Sequence, residues 1–566
     1  MFKTVRAGLL ATATAAVSVG VGPALAPAAT AAPVATFVVN STADAPDSAN
    51  DGLCKTSTNV CTLRAALTEA GRASGHAEID FNIPGGGVKT IAPATKLPGL
   101  TNPAGTTIDG YTQPGASPNT AAKISNASIM IEIKGKGPNG FDGLSITTPN
   151  NTIRGLSIYL FAKHLALSGN AADNNDIVGN YICTNAAGTY KYPSTHTKSL
   201  GMVLDRGPSG NHIGTPALAD RNVFSGCGHR AVTLSFAPTS GNYIQNNIMG
   251  LNPAGTAALS NGSQGVDINY TSGNFVGGLG ANEGNVLSAN RGAGVEVSHG
   301  SNTHDNVVNG NLIGTDPFGN VTGYSGNVKF GIRFEGPKFC GDPARPNPGG
   351  CTNAAVAEGL PHDNSATGNV VVSNGRGGIL IDKGHNHVTI QDNWVGVTPS
   401  GAAGRNGTAG IDVQRGPYGL LIKQNHVANN PVGIRITSKG YNPSGPEQET
   451  HENTISRNST WAGTGIQFTW GTSAALVQDN IQPPTITAQA GGMVSGTACS
   501  NCTIEVFVAA TKTGKMGKTY LSTVTANAAG NWSANTGQPG GTPITATATD
   551  AAGNTSVFAV PVLAKP

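Results

Sequence analysis

Three stretches, Gly331-Ile-Arg-Phe-Glu335, Gly378-Ile-Leu-Ile-Asp382 and Gly410-Ile-Asp-Val-Gln414, share the pattern glycine, apolar, variable, apolar, polar. The pattern, in places without its glycine, recurs on both sides of them about every 32 residues. The other copies are 143–147, 164–168, 201–205, 231–235, 265–269, 294–298, 433–437 and 465–469. Alternating apolar residues are typical of a short β-strand with one buried face. The chain therefore contains a long series of equivalent strands.

A second pattern, an asparagine followed by alternate apolar residues, comes after most copies of the first. Examples begin at Asn151, Asn211, Asn242, Asn306, Asn369 and Asn453. Strands this short bury a core only if each repeat forms one coil that stacks on the next. The predicted fold class is therefore all-β, a right-handed parallel β-helix in which asparagines at equivalent turns form hydrogen-bonded ladders. A β-propeller is the alternative, but its repeats run to ~40–45 residues.

The composition excludes several classes of protein. Of 566 residues, 79 are glycine and only 11% are charged, with a formal net charge of +3. Glycine this abundant without a strict three-residue period does not indicate collagen, and the low charge does not fit a coiled coil. Because the charges are scattered along the sequence, we expect no nucleic-acid partner.

The first residues predict a secretory signal peptide over residues 1–31. Lys3 and Arg6 precede an apolar run, and small residues follow up to Ala29-Thr-Ala31. Prolines interrupt the run, so a membrane anchor is disfavoured and we expect the protein to be secreted and extracellular. Disulfides are stable in that compartment. The predicted pairs are Cys54 with Cys61, Cys183 with Cys227, Cys340 with Cys351, and Cys499 with Cys502, where metal binding by the last pair is the alternative.

The remaining chain divides into three parts. Residues 32–130 form an N-terminal cap and the first coils, in which 61–70 has the apolar stripe of a short helix that Thr62 can cap. Residues 131–484 form the β-helix. Residues 485–566, with alternating strands and tight turns, form a small β-sandwich. We expect few contacts to cross the Pro483-Pro484 junction, so truncation after Gln482 should leave a folded β-helix.

Residues 36–484 resemble secreted right-handed parallel β-helix repeat proteins of the pectate-lyase-like superfamily. The segments CTLRAAL at 61–67 and TIDGYTQPGA at 107–116 resemble the N-terminal cap of a bacterial subset, and the C-terminal part resembles a bacterial immunoglobulin-like module. The resemblance implies the fold. Polysaccharide lyases, glycoside hydrolases, fructan transferases, esterases and non-catalytic adhesins share it, so it does not fix the function.

The repeat alignment predicts a candidate active site. In each copy the second and fourth residues point inward, and the third and fifth point to solvent on one face. Charges gather in the middle coils of these two outward columns, and the candidate catalytic carboxylates there are Asp267, Glu296, Glu335, Asp382 and Asp412. Neighbouring coils lie ~4.8 Å apart, so adjacent carboxylates can serve as an acid and a nucleophile or base. The alternative is that these acids form ordinary cross-strand pairs with Arg333 and Arg435.

Other residues are weaker candidates. Substrate binding is predicted for Arg333, Arg435, His299, Trp461 and Trp470, the aromatic rings by stacking on sugars. Asp44, Asp47 and Asp51 form a possible Ca²⁺ site, although acidic loops are common on surfaces. His385 and His387 lack an obvious third metal ligand, and ordinary turn histidines are the favoured interpretation. No other cofactor is expected.

Together these features predict a secreted, monomeric carbohydrate-active enzyme that cleaves glycosidic bonds of an extracellular polysaccharide or oligosaccharide, by hydrolysis or related transfer. A polysaccharide lyase is one alternative. A non-catalytic polysaccharide- or surface-binding protein is another. A face with more acids than bases repels a polyanion, which favours a neutral or amino sugar as substrate.

Overall fold

Three long parallel sheets form the walls of a right-handed parallel β-helix. The computed structural model describes residues 34–193, 199–337, 360–438, 449–469 and 476–564. Within these residues the sheets have 13, 12 and 11 strands, and each strand pairs in parallel with its counterparts in the neighbouring coils. The predicted fold class is confirmed.

The first sheet contains the first strand of the described residues and runs along the whole β-helix. Its strands are Ala35–Val39, Ala77–Phe81, Thr106–Asp109, Thr152–Arg154, Asp176–Val178, His212–Ile213, Tyr243–Ile244, Phe275–Gly277, Val307–Asn309, Ser365–Thr367, Thr389–Gln391, Leu421–Lys423 and Thr454–Ser456.

The second sheet follows the first within each coil. Its strands are Lys89–Ile91, Ile131–Lys134, Leu156–Tyr159, Tyr181–Ile182, Val223–Phe224, Ile248–Met249, Val286–Leu287, Leu312–Ile313, Val370–Val371, Trp394–Val395, His426–Ala428 and Ser459–Trp461.

The third sheet contains the repeated pattern that predicts the fold. Its strands are Leu144–Ile146, Lys163–Ser168, Leu200–Asp205, Val232–Ser235, Val266–Asn269, Val295–Ser298, Phe330–Glu335, Gly377–Asp382, Ala409–Gln414, Val432–Thr437 and Ile466–Thr469. The second and fourth residues of every copy before the last, such as Ile332 and Phe334, are fully buried in the interior between the three sheets. In the last copy Phe468 is only partly buried.

The predicted asparagine ladders are present, one at each of the three corners of the coil. In each ladder the side-chain amide of one asparagine donates to the amide oxygen of the asparagine in the next coil. The corner before the first sheet carries Asn151, Asn175, Asn211, Asn242, Asn274, Asn306 and Asn364. The corner before the second sheet carries Asn180, Asn222, Asn247, Asn285, Asn311, Asn369, Asn393, Asn425 and Asn458. The corner before the third sheet carries Asn261, Asn290, Asn327, Asn374, Asn406 and Asn430.

A short helix, Leu63–Ala70, covers the N-terminal end of the coil stack. Thr62 caps it as predicted, because its hydroxyl accepts the backbone N–H of Ala65 at 3.1 Å. Leu63, Ala66 and Leu67 lie in the same buried cluster as the first coil strands. The helix therefore covers apolar surface that an open end would expose. Single turns of 3₁₀-helix span Gly110–Thr112, Leu218–Asp220 and Gln478–Asn480.

The C-terminal module contains two antiparallel sheets, as expected of a small β-sandwich. One consists of Thr485–Ala490, Met493–Thr497 and Asn531–Asn535, and the other of Gly517–Thr525, Thr503–Ala509, Pro543–Thr549 and Val562–Leu563. The expectation that few contacts link it to the coils is wrong. Phe507 and Phe558 belong to the same buried cluster as Ile455 and Ile466 of the last coils. The module therefore caps the C-terminal end of the β-helix.

Three of the predicted disulfides are formed: Cys54–Cys61, Cys183–Cys227 and Cys499–Cys502. The Cys499–Cys502 bond replaces the alternative of a metal site at that pair. Cys340 and Cys351, like the predicted signal peptide, lie outside the described residues.

Candidate functional site

The predicted columns of the third sheet are correct in register. Along the third position, Asp267 pairs with Glu296, and Glu296 with Arg333. Farther along that column, Asp412 pairs with Arg435. Along the fifth position, Glu335 pairs with Asp382. The fold thus aligns the candidate carboxylates on one face of five consecutive coils.

These carboxylates are not exposed, contrary to the sequence expectation. Asp267 has no accessible surface, and Glu335, the most exposed of the five, is 7% accessible. They point away from the apolar interior, but neighbouring side chains cover them. Because burying an unpaired charge costs several kcal/mol or more, each of these acids needs a cation beside it, and each has one.

Two of the five carboxylates form two-point ion pairs with an arginine. Asp412 accepts a hydrogen bond from Arg435 Nε at 2.8 Å, and Asp382 accepts one from Arg415 Nε at 2.9 Å. In both pairs a second guanidinium nitrogen contacts the other carboxylate oxygen. The predicted binding residue Arg435 therefore serves as the partner of Asp412. This two-point geometry is the strong form of the interaction, and it fits the alternative interpretation of cross-strand pairing.

Glu335 lies between two cations. It contacts Arg333 Nη2 at 2.6 Å and also the Lys383 ammonium. Burial alone would raise the pKa of Glu335, but these two cations together hold it below its ordinary value. The pKa of Asp382, in contrast, is raised by its burial, and Arg415 offsets only part of the effect. Both oxygens of Asp382 contact Arg415, and both cations beside Glu335 contact its Oε1.

Asp267 is different because its hydrogen bonding is incomplete. Its Oδ2 contacts Arg230 Nη1 at 3.0 Å and accepts from the Asn269 amide, whereas its Oδ1 has no hydrogen-bond partner. Burial, with a further contribution from Glu296, raises the pKa of Asp267 to about 7 although Arg230 opposes the shift. Asp267 is therefore a carboxyl group that exchanges a proton near neutral pH.

Glu296 lies in the next coil and is oriented from two sides. Its Oε2 accepts a hydrogen bond from Gln264 Nε2 at 2.9 Å and lies 3.3 Å from Arg333 Nη1. Because Asp267 and Glu296 are direct register partners, their strands lie about 4.8 Å apart. They form the pair of neighbouring carboxyl groups in which one has a strongly raised pKa.

Two residues of this site were missed by the sequence interpretation. Arg230 and Gln264 each lie three positions before the third residue of a copy, just outside the five-residue pattern. Only Arg230 has a side chain with substantial exposure, 31%. A search for polar residues at this fixed offset would have found both.

Aromatic rings lie at the ends of three third-sheet strands, opposite the ends where Arg230 and Gln264 lie. The rings of Phe236 and Tyr270 are stacked with centroids 5.8 Å apart, and His299 stacks on Tyr270 at 5.2 Å. Each of the three comes directly after a third-sheet strand and has a left-handed backbone conformation. Phe236 is 49% exposed. The predicted binding residue His299 therefore belongs to a stack of rings, in which Tyr270 and His299 directly follow the strands that carry Asp267 and Glu296.

The other predicted residues lie elsewhere. Trp461 ends a strand of the second sheet, where its ring contacts His426. Trp470 lies outside the described residues. His385 is buried and receives the amide of Asn364 at 2.8 Å, so it continues an asparagine ladder as a structural residue.

The acidic N-terminal loop uses its carboxylates in local contacts. Asp44 pairs with Arg64 at 2.8 Å, Asp47 accepts the Lys55 N–H at 2.9 Å, and Asp51 accepts the Leu53 N–H at 3.0 Å. Among the residues that the structure describes, no group of three or more His, Cys, Asp or Glu side chains is placed to hold a metal ion. In the same residues, no helix has the length and apolarity needed to cross a membrane.

No protein-family model matches this chain, and no curated protein matches it. Similar solved structures include the Dettilon tailspike protein gp208, with 13% identity, 94% of this chain and 92% of that chain covered, and a TM-score of 0.38. The A-module of Azotobacter vinelandii mannuronan C-5 epimerase AlgE4 has 11% identity and a TM-score of 0.30, and the match covers 74% of this chain and 92% of that chain. An alginate lyase from Paenibacillus sp. str. FPU-7 has 12% identity and a TM-score of 0.27, and the match covers 77% of this chain and 99% of that chain.

Proposed function

We propose that the protein is a secreted carbohydrate-active enzyme that cleaves glycosidic bonds of an extracellular polysaccharide. The catalytic pair in this proposal is Asp267 and Glu296. The observation that carries it is the buried Asp267 carboxyl group, with one unpartnered oxygen and a pKa raised to about 7, directly beside a second carboxylate.

Asp267 is the acid of the pair. A carboxyl group with a pKa near 7 holds its proton at mildly acidic pH and can release it to a leaving group. In the proposed reaction Asp267 donates its proton to the glycosidic oxygen as the bond to the anomeric carbon breaks. The Asn269 amide and Arg230 hold the other carboxyl oxygen in place.

Glu296 is the nucleophile. A separation of ~5–5.5 Å between the two carboxyl groups is typical of retaining glycosidases, and the spacing of adjacent strands is close to it. Glu296 attacks the anomeric carbon, and Asp267, now ionised, takes a proton from the water that releases the sugar. Gln264 and Arg333 keep Glu296 oriented.

Substrate must gain access to a buried acid. Arg230, which contacts Asp267 and is partly exposed, is the side chain whose movement would open that access. The Phe236, Tyr270 and His299 stack borders the same strands and offers apolar ring surface to a sugar.

The test is incubation of the purified protein with a panel of neutral, amino and acidic polysaccharides, with two readouts. Hydrolysis produces new reducing ends without an unsaturated sugar. The proposal predicts this product for at least one polymer, and its absence in the Asp267→Asn and Glu296→Gln variants.

A polysaccharide lyase is the second candidate, favoured by the two guanidinium groups next to the carboxylates. Elimination requires a cation that neutralises a uronate carboxylate, and Arg230 and Arg333 lie beside Asp267 and Glu296. Ionised Asp267 would then remove the proton from the carbon next to the uronate carboxylate. A carbon–carbon double bond forms there as the glycosidic C–O bond breaks, and the leaving oxygen takes a proton from water. Formation of an unsaturated, ultraviolet-absorbing product in the same assay would favour the lyase over the hydrolase.

A further inference from the structure

The corner between the second and third sheets carries a row of positive charges, although these residues are scattered along the sequence. Arg291 and Arg376 are exposed, as are Lys191 and Arg405, and Arg230 and Lys329 are partly exposed. We call this row the basic edge; it consists of Lys191, Arg230, Arg291, Lys329, Arg376 and Arg405.

Backbone pairing places several members of the basic edge in consecutive coils. The Lys329 N–H donates to Gly292 O at 3.2 Å, and the Arg376 N–H donates to Lys329 O at 2.9 Å. Lys329 therefore lies one coil from Arg291 and one coil from Arg376. Since coils repeat about every 4.8 Å, the cations follow the helix axis along the side of the third sheet that begins each strand.

Negative charge is scarce at this corner. From Cys183 to Val432, the described residues that connect the second sheet to the third contain one carboxylate, Asp316. Asp316 accepts the backbone N–H groups of Phe318 at 2.9 Å and Asn320 at 2.8 Å, so it holds its own turn together. These connecting segments therefore supply little negative charge to the basic edge, although Arg230 pairs with Asp267 of the third sheet.

Some of these cations repel one another. Partial burial, with a contribution from the nearby Arg291, lowers the pKa of Lys191. Burial, with a contribution from the adjacent Arg230, lowers the pKa of His229. Like charges this close destabilise each other, and an anion bound between them would relieve that repulsion.

A preference for a neutral sugar follows only if the acids of the third sheet face solvent. They are buried and paired, and the partly exposed members of those pairs are the guanidinium groups, such as Arg230 at 31% and Arg333 at 22%. In each of these pairs the cation is more accessible than the acid, so the buried acids give no physical reason for excluding a polyanion.

We propose that the basic edge binds an anionic polysaccharide, carboxylated or sulfated, and holds it along the helix axis beside Asp267 and Glu296. This substrate class rests on the proposed function for the identity of the polymer as a polysaccharide. Arginine side chains bind carboxylate and sulfate groups through paired hydrogen bonds, and a row of cations matches the repeated charge of such a polymer.

The test compares dextran, carboxymethyl dextran and dextran sulfate of equal length, so that charge is the only variable. Binding is measured by isothermal titration at low and high salt with the full-length secreted protein. We expect a charged dextran to bind at least about tenfold more tightly than dextran, with an affinity that falls as salt screens the charges. Equal binding of charged and uncharged dextran would overturn the proposal.

Two triple variants locate the binding surface. Arg291→Gln with Lys329→Gln and Arg405→Gln removes three charges of the basic edge, and Lys512→Gln with Lys515→Gln and Lys518→Gln removes three from the C-terminal module. The first should weaken binding of the charged dextran at least about tenfold and the second should not. Equal losses in the two variants would show a general effect of net charge and overturn the assignment.

Two further measurements separate this proposal from the catalytic one. Asp267→Asn should abolish cleavage yet keep the binding of charged dextran, so a protein that binds but cleaves no polymer would contradict the proposed reaction alone. Single-stranded DNA serves as a competing polyanion. If it binds as tightly as the charged dextrans at the same salt concentration, the surface is not specific for polysaccharide and the proposal fails.

Discussion

The carboxylate of Glu505, in the C-terminal module, accepts a hydrogen bond from the hydroxyl of Ser456, in the last strand of the first sheet, at 2.6 Å. The same carboxylate accepts the backbone N–H of Arg457 at 2.8 Å, and Thr555 Oγ1 accepts that of Ile455 at 3.0 Å. These N–H groups lie on the open edge of the final strand. The module satisfies an edge that would otherwise invite aggregation.

Truncation after Gln482 should therefore give an insoluble or unstable product. It removes Phe507 and Phe558 from the shared core and uncovers the outer edge of the strand Thr454–Ser456, whose other edge pairs with Leu421–Lys423. We expect the truncated protein to elute as aggregates in size-exclusion chromatography, or to unfold at a much lower temperature. A soluble monomer with the melting temperature of the full chain would contradict the capping role.

Asp267→Asn and Glu296→Gln should each lower kcat at least ~10³-fold on the polymer that the enzyme cleaves, as loss of an acid or nucleophile implies. Asp412→Asn is the control, because Asp412 is also buried and paired with an arginine, in its case through both carboxylate oxygens. It should lower stability but leave kcat within about tenfold. Equal losses of kcat in all three folded variants would remove Asp267 and Glu296 from the mechanism.

The register of the site could be predicted from sequence, but its burial could not. The glycine and the two apolar residues of each copy fix which residues align between coils, so Asp267 and Glu296 were correctly placed side by side. Arg333, the cation beside Glu296, lies inside that pattern, but several cations beside the candidate acids lie outside it. Arg230 precedes it, and Arg415 and Lys383 follow it, each reaching an acid in the neighbouring coil.

No repeating sequence pattern indicates that the C-terminal module caps the β-helix. Phe507 lies in an ordinary alternating strand, and Phe558 lies in an irregular segment near the end of the chain. Nothing in either local pattern indicates that the two rings pack on a different module. Proline pairs such as Pro483-Pro484 mark the end of a repeat, but they do not report how much surface is buried across it.

Asp267 and Glu335 should affect the pH dependence of stability in opposite directions. The pKa of Asp267 is raised from 3.8 to about 7 on folding, so between these two pH values the folded state binds more protons than the unfolded state does. Stability therefore falls as pH rises through this range, by at most ~1.4 kcal/mol per pH unit from this group. The pKa of Glu335 is lowered below 4.5, so its contribution is present above that pH and is lost as pH falls.

Chemical denaturation at pH 4.5 and pH 8 checks both signs. Relative to the unsubstituted protein, Asp267→Asn should gain stability between pH 4.5 and pH 8. Glu335→Gln should lose more stability at pH 8 than near pH 4, where part of the contribution from Glu335 is already gone. If Asp267→Asn has the same stability difference at both pH values, Asp267 is not protonated in the folded state near neutral pH.

Replacing both Cys183 and Cys227 with alanine should lower the free energy of unfolding by ~2–5 kcal/mol. The bond joins the second-sheet ends of neighbouring coils across 44 residues, and neither cysteine is among the hydrogen-bond or ion-pair partners that the structure describes for Asp267 and Glu296. We expect catalytic activity to change little below the melting temperature. Titration of free thiols in the native protein should find none at these positions, and two reactive thiols there would refute the role.

Arg221 should hold a surface segment onto the coils through hydrogen bonds to neutral oxygens. It is 5% exposed, and its guanidinium donates to the carbonyls of Ala121, Ala122 and Ile124 at 2.6–2.9 Å and to the Asn246 amide oxygen. Burial lowers the pKa of Arg221 to about 10, so it stays charged at neutral pH. Arg221→Met should lower the free energy of unfolding by ~2–3 kcal/mol, because it leaves several carbonyl groups without a donor.

Arg206→Met, at a side chain 74% exposed, is the control and should change stability by less than ~0.5 kcal/mol. Proteolysis should in addition cleave the Arg221→Met variant first near residues 121–124, and equal resistance of the two variants would show that other contacts hold the segment.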